Sequence, residues 1–257
     1  MNVLPQGILN DWPLWGLSSE PASVEVIEGG LTNQNFLVQT SAGKFVLRLH
    51  NDSASLGIDR VAEMSIQQLA AAAGLTPAVH YSAPDHSYSV RPYLDGETLS
   101  ATSMSQCDLS AMADILNRLH NIPVPEGLPT LDTHSACRLY LAEAAAYPHK
   151  QSDIQPLTAQ VDALEALPAA RHICHLDPLA ANWLRDTQGR LWLLDWEYAT
   201  IAHPLLDYAA IDLLLPTNLK SDWQSFWQDK DPDKELMSLA TAHIRLLDQC
   251  WRLAHQQ

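Results

Sequence analysis

The chain has 257 residues, 47% of them hydrophobic and 18% charged, with a formal net charge of -15. That length supports one large domain or two smaller ones with a substantial core, while the acidic balance argues against nucleic acid as partner, because phosphate neutralisation needs clustered Lys and Arg. No apolar run approaches the roughly 20 residues that span a bilayer. "MNVLPQGILNDWPLWG" lacks the positive start and apolar stretch of a secretory signal, and Cys107, Cys137, Cys174 and Cys250 form no CxxC pair. The expectation is a cytoplasmic protein with reduced thiols, no disulfide framework and no membrane partner. The acidity itself serves solubility, or attracts a cationic substrate or a metal.

In "VEVIEGGLTNQNFLVQTSAGKFVLRLH", residues 24–50, Val24, Val26, Phe36, Val38, Phe45, Leu47 and Leu49 fall at strand period around the turns "EGGLTN" and "TSAGK". Three antiparallel strands are predicted. "IDRVAEMSIQQLAAAAGL" carries Val61, Met64, Leu69 and Ala73 at helical spacing, with Gly74 as C-cap and Pro77 as stop. "PAVHYSAPDHSYSVRPYL" returns to strands around the "APDHS" turn. After residue 93 the texture becomes helical. "CDLSAMADILNRLH" presents Leu109, Met112, Ile115, Leu116 and Leu119 on one face, and further helices are expected near 135–147, 156–167, 205–214, 219–228 and 234–254. The reading is a small β-rich lobe over 1–93 and a larger, mainly helical lobe over 94–257.

Between these helices lies "HICHLDPLAANWLRDTQGRLWLLDWEYA", residues 172–199. "NWLR" and "LWLLD" read as a hairpin with Gly189 at the φ > 0 position of the loop. Pairing Arg185 near Leu191 puts Asn182 and Asp195 at one open end, two oxygen ligands of the type magnesium prefers. Asp177 arrives on the preceding loop, which His175 can anchor through its ring nitrogens. Each residue alone reads as a satisfied polar group in a buried loop. The combination His-x-Asp-x-x-x-x-Asn, hairpin, Asp matches the kinase arrangement of a catalytic Asp, a metal-binding Asn and a second metal-binding Asp.

At these residues the chain resembles the aminoglycoside phosphotransferase and choline kinase family, "HLDPLAAN" being similar to its catalytic loop and "LLDWEYA" to its metal-binding segment. The "DWEYA" form is similar to that of choline, ethanolamine and thiamine kinases, and the resemblance runs from about Val24 to Ala210. It implies a bilobal, protein-kinase-like α+β fold, with a small antiparallel N-lobe sheet, one helix and a helical C-lobe. ATP and Mg2+ are the implied cofactors. In the family a "GG-x-[ST]-N" turn covers the ATP phosphates, which here places Gly30, Thr32, Asn33 and Asn35 at the nucleotide. Arg48 on the third strand, held by Glu63 of the helix, supplies the phosphate-gripping cation. The adenine lies against "SVRPYLDG"; since Pro92 has no N–H, the donor is Arg91 or Tyr93. In "HPLLDYAA", Asp207 caps a helix or braces the catalytic loop.

The implied activity is transfer of the γ-phosphate to a hydroxyl of a small acceptor, with Asp177 as base and Asn182 and Asp195 holding the metal. Trp183, Trp196, Glu197 and Tyr198 combine aromatic faces with a carboxylate and favour a cationic amino-alcohol or thiamine-like acceptor, although core packing explains the tryptophans equally. The alternatives are an aminoglycoside, sugar or homoserine kinase of the same family, or an inactive nucleotide-binding pseudokinase. A Cys174–His175 hydrolase is disfavoured because adjacent strand residues point to opposite faces, and the eleven histidines show no HxxxH or HExxH spacing.

Overall fold

A computed structural model describes residues 4–28, 33–51, 57–100, 102–231 and 234–255. The chain opens with a short helix α1 (Gln6–Leu9) and a 3-10 turn at Trp12–Trp15, neither of which periodicity indicates. Trp15 is fully buried and donates its Nε1–H to the Tyr88 hydroxyl at 3.2 Å, so this segment folds as a plug for the first sheet.

That sheet contains β1 (Ser23–Ile27), β2 (Asn33–Thr40) and β3 (Gly43–His50), with β4 (Tyr81–Ser82) and β5 (Tyr88–Pro92) following the helix α2 (Arg60–Ala72). The order is β1-β2-β3-β5-β4, antiparallel throughout. Phe36, Val38, Leu47 and Val90 point inward beneath Trp15 and Leu4. The register pairs Arg48 with Asn35 on one side and Ser89 on the other, so these three side chains share one face.

Asp59 caps α2 by accepting from the N–H groups of Val61 and Ala62, both at 3.0 Å. At the other end Gly74 takes φ +70°. Gly74 N–H donates to Ala71 O and Leu75 N–H to Ala70 O, each at 2.9 Å, a Schellman closure that needs a left-handed residue at Gly74. The buried face of α2 differs from the expected one. Val61 is 62% exposed, while Ala62, Glu63, Ile66 and Ala70 are buried. Leu69 and Ala73 flank this face, partly buried against the large cluster, and Glu63 is carried inward with its charge met by Arg60.

Beyond the first sheet come β6 (Gly96–Thr98), α3 (Gln106–His120), α4 (Thr133–Ala144), α5 (Gln151–Ala163), β7 (His172–Cys174), β8 (Trp183–Asp186), β9 (Leu191–Leu193), β10 (Thr200–Ala202), α6 (Leu205–Leu214), α7 (Thr217–Gln224) and α8 (Glu235–His255). Pro156 lies inside α5 rather than opening it, because a 3-10 turn at Pro148–Lys150 runs directly into the helix. β6 pairs with β8, and β8 with β9, in one three-stranded sheet, while β7 pairs with β10. A Cβ at Gly96 would overlap Arg185 O and crowd Leu184, so only glycine permits this approach. Among the described residues no helix is long and apolar enough to cross a membrane. A small antiparallel sheet with one helix, followed by a mainly helical part built around short strands, is the expected α+β kinase-like architecture.

Candidate active site

The loop that leaves β7 at Cys174, expected to be the catalytic one, is held from below by α6. Asp207, fully buried, accepts from His175 N–H at 3.0 Å and Leu176 N–H at 2.7 Å. His120 Nε2 of α3 lies 2.9 Å from the same carboxylate. Asp207 makes no capping bond to its own helix, so of its two expected tasks the geometry fits loop bracing. The brace holds Leu176 at φ +63°, a left-handed conformation that costs a non-glycine residue free energy and persists only when its surroundings impose it.

His175 lies beside this turn with both ring nitrogens engaged. Nε2 faces Leu194 O at 3.0 Å, which can only accept, and Nδ1 receives Asp177 N–H at 3.3 Å. Burial keeps the ring neutral by lowering its pKa, and its edge meets Trp196 at 4.8 Å. One tautomer therefore ties the loop to the segment following β9.

The hairpin pairs Arg185 with Leu191 and Trp183 with Leu193, and Gly189 takes φ +81°. One step further, Leu194 N–H donates to Asn182 O at 2.8 Å, which brings Asn182 and Asp195 to the same end. Asn182 Nδ2 donates to Asp177 O and to Asp177 Oδ2, both at 2.8 Å. Its own Oδ1 accepts nothing among the described residues. Asp195 sits at φ +67°, a second left-handed non-glycine at the same site. Burial, then the charge of Asp195, pushes the Asp177 carboxyl up to about 8. Burial opposes the charge of Asp195 too, but the Arg48 guanidinium outweighs it and holds that carboxyl below the usual range. Two neighbouring carboxylates are thus driven apart in acidity, as an acid–base site requires.

Arg48 reaches this carboxylate directly. Its Nη2 lies 2.5 Å from Asp195 Oδ1 and 3.0 Å from Glu197 Oε2. Burial works against the guanidinium charge, but Asp195, Glu63 and Glu197 together raise its pKa. The expected Arg48–Glu63 pair does not form. Glu63 Oε2 instead accepts from Arg60 Nη1 at 2.7 Å, because Arg60 opens the same helix three residues earlier and is the nearer cation. Asn35 is the cross-strand neighbour of Arg48. Asn33, two residues earlier on the same face of β2, donates Nδ2 to Glu197 Oε2 at 2.6 Å. Gly30 and Thr32 lie outside the described residues.

The expected adenine donors require correction. Tyr93 N–H is donated to Lys44 O at 3.0 Å, and the alternation of the β3–β5 ladder commits Arg91 N–H to Val46 in the same way. The Arg91 side chain, by contrast, lies in the field of the site: burial and the charge of Arg48 lower its pKa to about 10, and Asp195 opposes them.

Three of the four expected acceptor residues also belong elsewhere. Trp183 and Trp196 are buried in the large core and satisfied there, their Nε1–H groups donating to Pro178 O at 3.0 Å and Thr76 Oγ1 at 3.1 Å. Glu197 is buried on Asn33 and Arg48. Carboxylates and tryptophans that follow a metal Asp look alike in sequence whether they face a ligand or the interior. Tyr198 remains, its hydroxyl accepting from Trp251 Nε1–H at 2.8 Å. Trp251 leans on His255, which meets Tyr140 edge-on. Burial, then the charge of Glu197, raises the Tyr198 hydroxyl well above its usual range, with Tyr140 and Asp177 adding smaller contributions. Trp251 and Tyr140 carry no local motif. Only the fold brings α4 and α8 to the "DWEYA" segment.

Cys174 closes two other readings. His120, Cys174 and Asp207 converge within 4.8 Å, but burial and Asp207 raise the Cys174 thiol well above its usual range. A neutral, fully buried thiol is not a nucleophile, and both oxygens of Asp207 are already engaged by His120 and the loop N–H groups.

A model of a phosphotransferase enzyme family matches residues 23–232. A LicA protein of Haemophilus influenzae is 30% identical over 189 residues, 71% of this chain but only 56% of that protein's length. Choline kinase LicA from Streptococcus pneumoniae superposes with a TM-score of 0.77 at 22% identity, covering 97% of this chain and 90% of that one. A LicA in complex with AMP gives 0.79 at 21% identity over 100% and 91%.

Proposed function

The chain belongs to the phosphotransferase enzyme family, and from that premise we propose that it is an ATP-dependent small-molecule kinase, phosphorylating a hydroxyl of a cationic amino-alcohol or thiamine-like acceptor. The observation that carries the reading is the convergence of Asp177, Asn182 and Asp195, with Arg48 in direct contact with the last of them. Asp177 orients the acceptor hydroxyl and takes its proton. Its raised pKa suits a base working near neutrality. Arg48, freed from Asp195 and Glu197, grips the nucleotide phosphates, with Asn35 and the Arg91 guanidinium on the same side. The backbone of Leu94–Gly96 supplies the adenine contact, since Arg91 and Tyr93 are already paired.

The donor set fits magnesium: the free Asn182 Oδ1 and the Asp195 carboxylate are hard oxygen ligands at one hairpin end. When bound, the ion neutralises charge on the β- and γ-phosphates. His175 and Asp207 hold the loop so that Asp177 and Asn182 keep their relative positions. For the acceptor, Tyr198, Trp251 and Tyr140 offer aromatic faces of the kind that binds an organic cation. The LicA relationships support the same acceptor class.

The test is an ATP-consumption screen over choline, ethanolamine, thiamine, homoserine, sugars and aminoglycosides. Turnover is expected with one of the first three. Turnover confined to sugars or aminoglycosides would refute the acceptor and spare the mechanism. Nucleotide binding without phosphorylation of any alcohol would support instead a binding protein that kept the fold.

A further inference from the structure

Glu197 presents an electrostatic difficulty on the kinase reading, and its resolution assigns a task to a residue outside the expected site. The Glu197 side chain is 4% exposed. Its Oε2 is approached by Asn33 Nδ2 at 2.6 Å, Arg48 Nη2 at 3.0 Å and Arg60 Nη1 at 3.6 Å. Of the two cations described at Glu197, Arg48 is the nearer, and on the kinase reading it is also the one that turns to the phosphates. A metal ion compensates Asp195 when Arg48 leaves, but nothing in the nucleotide compensates Glu197. A buried carboxylate that loses its counter-ion is strongly disfavoured, so Arg48 would stay where it is.

We infer that Arg60 is a positioning residue for nucleotide binding: it takes over as counter-ion of Glu197 and so releases Arg48 to the phosphates. Four observations converge on it. Arg60 is nearly as buried as its partners, its side chain being 9% exposed. It already points at Glu197, and moving Nη1 from 3.6 Å to the ~2.8 Å of a charge-assisted bond is a sub-ångström shift. Asn33 couples the two, accepting from Arg60 Nη2 at 3.2 Å while donating to Glu197. Arg60 Nε–H is buried and unbonded among the described residues, so the guanidinium has donor capacity to spare while it keeps Glu63. Among the described residues two guanidiniums serve three carboxylates at this node, Asp195, Glu197 and Glu63. When Arg48 leaves, Arg60 is the cation of the pair that remains.

The inference rests on the proposed kinase activity, and the test separates the two. MgATP and MgADP affinity are measured by titration calorimetry on full-length Arg60→Met, Arg60→Lys, Glu197→Gln and the Arg60→Met/Glu197→Gln double variant. Thermal melts and steady-state kinetics with the acceptor found in the screen complete the set. Arg60→Met should weaken MgATP binding and raise its KM about 10- to 100-fold, with kcat and the acceptor KM little changed. Arg60→Lys should recover most of the affinity. In the double variant the loss should disappear, because the neutral amide that replaces the Glu197 carboxylate needs no counter-ion. Unchanged MgATP affinity in a folded Arg60→Met protein overturns the inference, as does a double variant whose losses simply add, which would assign Arg60 to Glu63 and helix α2 alone. A wild-type protein that binds no nucleotide overturns the kinase reading itself.

Discussion

Asp207→Asn changes one atom and should reveal how much the catalytic loop depends on its brace. The carboxylate accepts three hydrogen bonds: Leu176 N–H on Oδ1, and His175 N–H and His120 Nε2 on Oδ2. An asparagine has one oxygen for those two positions, so at best one buried backbone N–H meets an amide N–H instead. An unsatisfied buried donor costs about 1–3 kcal/mol. The bonds that survive lose their charge assistance, roughly half their strength or about 1 kcal/mol each. The total is about 3–5 kcal/mol, a large part of the ~5–15 kcal/mol that a domain has available. Urea unfolding should show that loss. The folded fraction should also turn over ~100-fold more slowly, because Leu176 is released from its left-handed conformation one residue before Asp177, and misplacement by an ångström is enough for such a loss. Nucleotide affinity, which draws on Arg48 and the first sheet, should persist. A variant within about 1 kcal/mol of wild type with unchanged kcat would refute the bracing role.

Asp177→Asn should lower kcat by about 10²- to 10⁴-fold while MgADP binding by calorimetry stays intact. In the unsubstituted protein kcat/KM should rise with pH: the base acts deprotonated, burial and Asp195 lift its pKa towards 8, and activity is lost as pH falls through that pKa. A flat profile between about pH 6 and 9 would remove Asp177 from the proton transfer. Trp196→Ala should cost about 3–5 kcal/mol in thermal or urea unfolding with the acceptor KM within about threefold of wild type; a selective rise in that KM at full stability would return Trp196 to the acceptor site. Gly96→Ala should destabilise by about 1–3 kcal/mol, since its Cβ has no room against Arg185 O and Leu184, and equal stability would show that β6 can shift freely.

The features legible in the sequence were those with a local period or a fixed spacing. The hairpin register followed from two apolar runs flanking Gly189, and it carried Asn182 and Asp195 to one end without any long-range knowledge. Alternation marked the first three strands, and the kinase-like architecture was what the family resemblance carried by the same motif implied. What escaped was the choice between near-equivalent partners. Arg48 and Arg60 both lie within reach of Glu63, and only the turn of α2 decides that Arg60 takes it. Trp183, Trp196 and Glu197 have the chemistry of an acceptor site, and only depth in the structure separates them from Tyr198. β6 is three exposed residues, "GET", whose strand identity comes wholly from its pairing with β8. Trp251 and Tyr140 are gathered by α8 and α4, helices far apart in sequence.

The inner face of α2 bears on how the molecule can be dissected. By connectivity the helix belongs to the first sheet, between β3 and β4, yet Ile66, Ala70 and Leu75 pack in the large cluster with α3 and the hairpin. Leu193 N–H donates to Leu75 O at 3.0 Å. A fragment cut after residue 93 would carry this apolar face with nothing to cover it, and the remainder would open a groove where the helix had lain. The two halves are therefore expected to be recovered as folded protein only when expressed together, as complementing fragments rather than as autonomous modules.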